Sequence, residues 1–171
     1  GPLCLSHTYA GLLNGIEKAD SVAVSAHKML LQPKESAFIL FREYDKIMPS
    51  ISTAGAYLAK PTVGVQGSRA ASAISLLAFL LSCGRSGVER ILDGLIHNSE
   101  LLFDFLERSA NFETAVRPVT GINVFRSNRI ATMDLLDKLP QGMFSSFQYQ
   151  SDSWLRSVSA NPGANLEKII S

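Results

Sequence analysis

Apolar and polar positions alternate from Ser21 to Ser25 and again through Ser36-Ala37-Phe38-Ile39-Leu40-Phe41-Arg42, which predicts two strands joined by a short loop containing Pro33. Ahead of them, Tyr9 to Ile16 carries its apolar residues at helical spacing. A stretch rich in Gly, Ala, Pro and Thr runs from Ser52 to Gly67, and the pattern then turns helical. From about Arg69 to Cys83 nearly every residue is apolar or small, as expected of a helix buried between domains or subunits, and Gly84 and Gly87 punctuate it. Val88, Ile91, Leu92, Leu95, Ile96, Leu101, Leu102, Phe105 and Leu106 follow at the spacing of an amphipathic core helix.

Beyond Ala110 come three strand-like pieces, Phe112 to Arg117, Ile122 to Phe125 and Phe147 to Tyr149, with Ala131 to Leu139 helical between the second and third. Trp154 to Ser159 adds a fourth strand and Ala164 to Ile170 a closing helix. Strands alternating with helices in this way predict an α/β fold. The chain divides near Ser50, into residues 1–50 and 51–171, and shows no internal repeat.

Composition narrows the function classes. A hydrophobic fraction of 46% with 18% charged residues suits a soluble, packed protein. Sixteen Lys and Arg against fifteen Asp and Glu leave a formal charge of +1, no footprint for nucleic acid or an acidic membrane. The apolar run Ile74 to Leu81 is too short for a bilayer, which needs about 20 residues. No signal peptide with a basic start is expected. Cys4 and Cys83 lie far apart without metal or redox spacing, so free thiols in a reduced, cytoplasmic setting are expected. His7 and His97 have no ligand partners at useful spacing, and no metal site is expected.

The chemistry concentrates at Ser25-Ala26-His27-Lys28, where the first strand gives out. Lys28 is expected to project from the strand end, at the lip of a parallel sheet. Partial desolvation there lowers an amine's pKa from about 10.4 toward the range where it attacks a carbonyl. That makes Lys28 a candidate Schiff-base residue, with pyridoxal phosphate the usual carbonyl partner. The His27 imidazole beside it can donate to a phosphate oxygen or cover a cofactor ring. The competing reading is two polar residues closing a strand.

The order of helix, strand, Ser-x-His-Lys, loop and strand resembles the pyridoxal-phosphate decarboxylases of the glutamate and aromatic amino acid decarboxylase group. Four segments carry the resemblance: Gly15-Ile16-Glu17-Lys18-Ala19-Asp20-Ser21, Ala26-His27-Lys28-Met29-Leu30, Gly67-Ser68-Arg69 opening the apolar helix, and Trp154-Leu155-Arg156-Ser157-Val158 followed by Asn161-Pro162. Departures are Ser25, where the family commonly has Asn or Asp, Glu35, where many members have cysteine, and a loop about one residue shorter after Lys28.

The resemblance implies the C-terminal part of an aspartate-aminotransferase-like, fold type I enzyme. Residues 1–50 would end the cofactor domain and 51–171 supply interdomain helices and a small domain. It implies pyridoxal phosphate held covalently on Lys28, with His27 and Ser25 near its phosphate or edge. Tyr57 is the tyrosine available to protonate the carbanion left by carbon dioxide, and packing is its competing role. Arg69 is a candidate for pairing with a substrate carboxylate, and bonding at the helix start is its alternative. The ring-nitrogen acid and phosphate cradle of the family fall before residue 1. The chain alone is therefore expected to be inactive, and the complete protein a homodimeric amino acid decarboxylase. Similarity of Ser-x-His-Lys to cysteine desulfurases leaves a carbon-sulfur lyase as an alternative, although Cys83 ends an apolar helix and does not sit on a loop. A non-catalytic fragment or interaction module is the other.

Overall fold

A computed structural model describes residues 1–54, 71–164 and 166, together with the backbone of 62–63. They form two compact units, Gly1–Glu89 and Arg90–Ser171.

The first unit opens with three 3-10 turns, Pro2–Leu5, Ala10–Leu13 and Ile16–Lys18. The single helix expected over Tyr9 to Ile16 is thus broken into pieces. Gly15 adopts a left-handed backbone (φ 96°), which a helix cannot continue through. Next come β1 (Ser21–Ser25), a one-turn helix α1 (Ala26–Met29), β2 (Ala37–Phe41) and α2 (Tyr44–Ile51). The two-residue strands β3 (Ser52–Thr53) and β4 (Thr62–Val63) pair antiparallel.

Strands β1 and β2 also pair antiparallel, from Ser21 opposite Phe41 to Ser25 opposite Ala37. The expected parallel sheet is therefore corrected: every pairing among the described residues is antiparallel. Strand alternation puts Val22, Val24, Phe38 and Leu40 on one face, where they line an apolar cavity of about 290 Å³ with Leu5, Ile16 and Leu30. Cover of the hairpin is thin, and Ile39 and Leu40 remain more than half exposed.

Helix α3 (Ser72–Arg108) is two helices joined at Gly84, whose φ of 60° and ψ of 179° belong to a region open to glycine. Before that break Ile74, Leu77 and Leu81 are exposed in the single chain. After it, Leu92, Leu95, Ile96, Leu102 and Leu106 of the amphipathic pattern are buried as expected, whereas Leu101 is exposed.

In the second unit, β5 (Phe112–Thr114), β6 (Ile122–Ser127), β7 (Phe144–Tyr149) and β8 (Asp152–Val158) form an antiparallel sheet of order β5-β6-β8-β7. Helix α4 (Thr132–Lys138) lies between β6 and β7 in sequence. Leu102, Leu106, Phe125 and Leu155 form the core, flanked by Phe105, Phe112, Leu135, Leu136, Leu139 and Phe144. Phe125 meets Phe112 and Phe144 edge to face, at centroid distances of 5.9 and 5.7 Å. Asn123, fully buried, donates from Nδ2 to the Ser99 carbonyl (3.1 Å) and hydroxyl (2.9 Å), tying β6 to α3. The β7–β8 connection is a two-residue turn with both central residues left-handed, Gln150 (φ 50°) and Ser151 (φ 69°). That is the type I′ geometry that matches strand twist. Most of the closing helix expected over Ala164 to Ile170 lies outside the described residues.

Candidate active site

Lys28 sits on α1, a single helical turn, and does not project directly from the strand end. Burial of Ala26 and Leu30 holds that turn from inside, since both are nearly inaccessible and lie four residues apart on one side of it. Lys28 is left exposed, and its amine has no hydrogen-bond or ion-pair partner among the described residues. His27 is half-buried; its Nδ1 is inaccessible and lacks a partner among the described residues. Ser25 precedes the helix in extended conformation, and its hydroxyl does not cap it. The structure brings these three predicted residues together on four consecutive positions.

The connection from α1 back to β2 is closed by backbone bonds. The Ala26 N–H donates to the Ser36 carbonyl (3.0 Å), and the Ser36 N–H to the Pro33 carbonyl (2.9 Å). Leu31 is left-handed (φ 55°), and the Gln32 side-chain amide donates across it to the Leu30 carbonyl (2.9 Å). Neither residue was singled out from the sequence, because nothing in the apolar pattern marks a left-handed leucine.

Tyr57 and Arg69, the two other predicted site residues, lie outside the described residues. His7 is in an exposed turn and His97 is exposed on α3; no cluster suited to a metal ion occurs among the described residues. Likewise no described helix is long and apolar enough to cross a membrane.

The second unit holds one charged constellation. Arg126 donates from Nε to Glu113 (2.8 Å) and from Nη1 to Asp152 (2.9 Å), and its guanidinium lies 4.5 Å from the Trp154 ring centroid. The bond to Glu113 leads in holding the arginine above its ordinary pKa, with Asp152 adding to it against some desolvation. This paired cation joins β5, β6 and β8, a bracing geometry between three strands.

Comparison with known proteins places the lysine turn in context. A family model described as the pyridoxal-dependent decarboxylase conserved domain matches residues 1–128. Aspartate 1-decarboxylase of Aliivibrio fischeri is 28% identical over 132 residues, 74% of this chain and 24% of the relative. Aromatic-L-amino-acid decarboxylase of Bacillus atrophaeus is 22% identical over an alignment of 193 residues, 99% of this chain and 40% of the relative. The chain thus spans less than half the length of these curated relatives. Among solved structures, mouse CSAD in apo form superposes with a TM-score of 0.80 at 21% identity, over 98% of this chain and 41% of that one. Oryza sativa TDC with PLP and tryptamine gives 0.80 at 18%, over 99% and 41%. At such identities the structural likeness shows the fold, which is a portion of the fold type I arrangement of these enzymes. With three-quarters of its length matched by the family model, the chain belongs to the pyridoxal-dependent decarboxylase family.

Proposed function

We propose that the complete protein is a carboxy-lyase that removes the α-carboxylate of an amino acid, releasing an amine and carbon dioxide, and that Lys28 is its cofactor attachment point. Pyridoxal phosphate is the cofactor of the family. The residues present fit that group. Lys28 offers an unpartnered amine for the aldehyde carbon, His27 a buried Nδ1 in need of a partner, and Ser25 a hydroxyl not used by its helix. A phosphate oxygen would satisfy this imidazole once the ring turned Nδ1 outward, relieving the cost of a buried unpaired polar atom. When bound, pyridoxal phosphate supplies the ring that takes up the electron pair left by carbon dioxide.

The chain's own residues then divide the work. Lys28 would hold the cofactor through Nζ. Tyr57 gives a proton to the substrate Cα, its phenol being protonated near neutral pH because its free pKa is about 10. Arg69 pairs with a substrate carboxylate. Residues 1–50 close the cofactor domain, and 51–171 form the linker, interdomain helices and small domain. The chain covers only 24% and 40% of the curated relatives, in keeping with a site completed by further chain and with this chain inactive alone; the complete protein is proposed to act in the cytoplasm as a homodimer. Exposed apolar residues on the hairpin and at the start of α3 support such association.

The single observation that carries the reading is the unpartnered lysine on a buttressed turn inside the segment matched by the family model. Borohydride reduction in the presence of pyridoxal phosphate, followed by peptide mass mapping, tests it. Label on Lys28 in the complete protein and none on this chain is the expected result. A complete protein without label at Lys28 overturns the reading and leaves an interaction module in its place.

A further inference from the structure

The turn that carries Lys28 runs into a residue of unfavourable backbone conformation. Leu31 is left-handed (φ 55°), a region that residues with a Cβ rarely adopt. It is 41% exposed, so packing covers it only in part. What does hold it is Gln32. The side-chain Nε2 donates to the Leu30 carbonyl at 2.9 Å, closing a ring across Leu31, while the Gln32 backbone N–H reaches the Ala26 carbonyl at 3.4 Å. That same carbonyl accepts the Leu30 N–H at 3.1 Å. Both bonds therefore return to the residue where the turn begins, and His27, Lys28 and Met29 are enclosed between them.

Resting on the assignment of Lys28 above, we infer that Gln32 is a positioning residue for Lys28: by bonding across the left-handed Leu31 it fixes the orientation in which the lysine amine is presented. It acts through the backbone of the turn and touches neither substrate nor cofactor. A single hydrogen bond of this kind is worth a modest change in equilibrium, so its removal loosens the turn without unfolding the chain.

The logic yields a rescue experiment. Gln32→Met keeps the length of the side chain and removes the donor without adding charge. Leu31→Gly makes the left-handed backbone free of strain, so the clamp is no longer needed. In the complete protein, affinity for pyridoxal phosphate is read from the absorbance of cofactor bonded to Lys28, and borohydride trapping confirms the attachment site. Q32M is expected to weaken affinity by about 3- to 10-fold, the range for one lost hydrogen bond. L31G in the Q32M background is expected to recover most of that loss, and L31G alone to bind like the unaltered protein. Hydrogen exchange at the Leu30 and Gln32 amides should rise in Q32M and fall back in the double variant.

If Gln32 only packs, the loss is the same in both backgrounds, which overturns the inference, as does a Q32M protein that binds like the original. If the unaltered protein takes no label at Lys28, the functional assignment itself falls and this inference with it. Label at Lys28 with an inert Gln32 removes the inference alone.

Discussion

The two units of this chain use the same kinds of apolar residue to different ends. In Arg90–Ser171, strand alternation and one helix face converge on a closed core in which Leu95, Leu106 and Leu155 are almost wholly inaccessible. In Gly1–Glu89 the hairpin leaves Ile39 and Leu40 more than half exposed, and its firmly buried residues are few, with Ala26 and Leu30 directly beneath the lysine turn. The second unit supplies its own cover, whereas burial in the first, among the described residues, is spread over a few positions such as Leu3, Val24, Ala26, Leu30 and Val88.

The largest effect expected from breaking this contrast is chemical. Lys28→Ala should abolish covalent cofactor retention by the complete protein, measured by absorbance and intact mass, while thermal stability barely moves because the side chain is exposed. Next in size is Leu155→Ala, which opens a cavity in the sheet core and should cost about 2–5 kcal/mol in urea unfolding. Its counterpart in the hairpin, Ile39→Ala, should cost this chain within about 0.5 kcal/mol, since the side chain is 57% exposed. Equal losses for the two would dissolve the distinction between the units.

A smaller effect, of opposite sign, is expected in the β7–β8 turn. Gln150→Asn with Ser151→Gly suits the type I′ geometry and should raise the unfolding midpoint, by about 1 kcal/mol in free energy. The smallest belongs to Arg126→Met. Its ion pairs with Glu113 and Asp152 are largely solvent-facing, so the loss should be slight and should shrink as salt is added. Since bonding to Glu113, and then to Asp152, raises the arginine's pKa in the folded chain, the arginine's own charge contributes fully at neutral pH and fades only in strong alkali, as pH rises through its raised value. A stability profile with a step near neutrality at this site would contradict the assignment.

Much of this architecture could be read in the residues beforehand, and the misses have physical causes. The strand Ser21–Ser25 was legible residue for residue because period-two alternation is a strong local signal. The core helix after Gly84 was legible for the same reason at period 3.6. Helical spacing over Tyr9 to Ile16 misled because two glycines interrupt it, and Gly15 takes a conformation that apolar spacing cannot encode. Strand β7 begins at Phe144, three residues before the strand expected there, because pairing with β8 recruits Ser145 and Ser146, whose small polar side chains carry no alternation of their own. Ser25, His27 and Lys28 were singled out as candidates from their position at a strand end, which the structure shows them to occupy just before and within a one-turn helix. Gln32 was invisible, since its importance arises from the backbone of the residue before it.

The antiparallel hairpin has a kinetic consequence. All backbone bonds that shape the lysine turn join residues between Ser21 and Phe41, so its formation requires closure of only an eleven-residue connection between Ser25 and Ala37. Closing a loop of that size takes about 10–100 ns and forming a hairpin about 1–10 μs. Hairpins with so little cover are individually marginal. The turn that carries Lys28 is therefore an early and repeatedly sampled event in folding, and its persistence depends on the cover the hairpin gains afterwards.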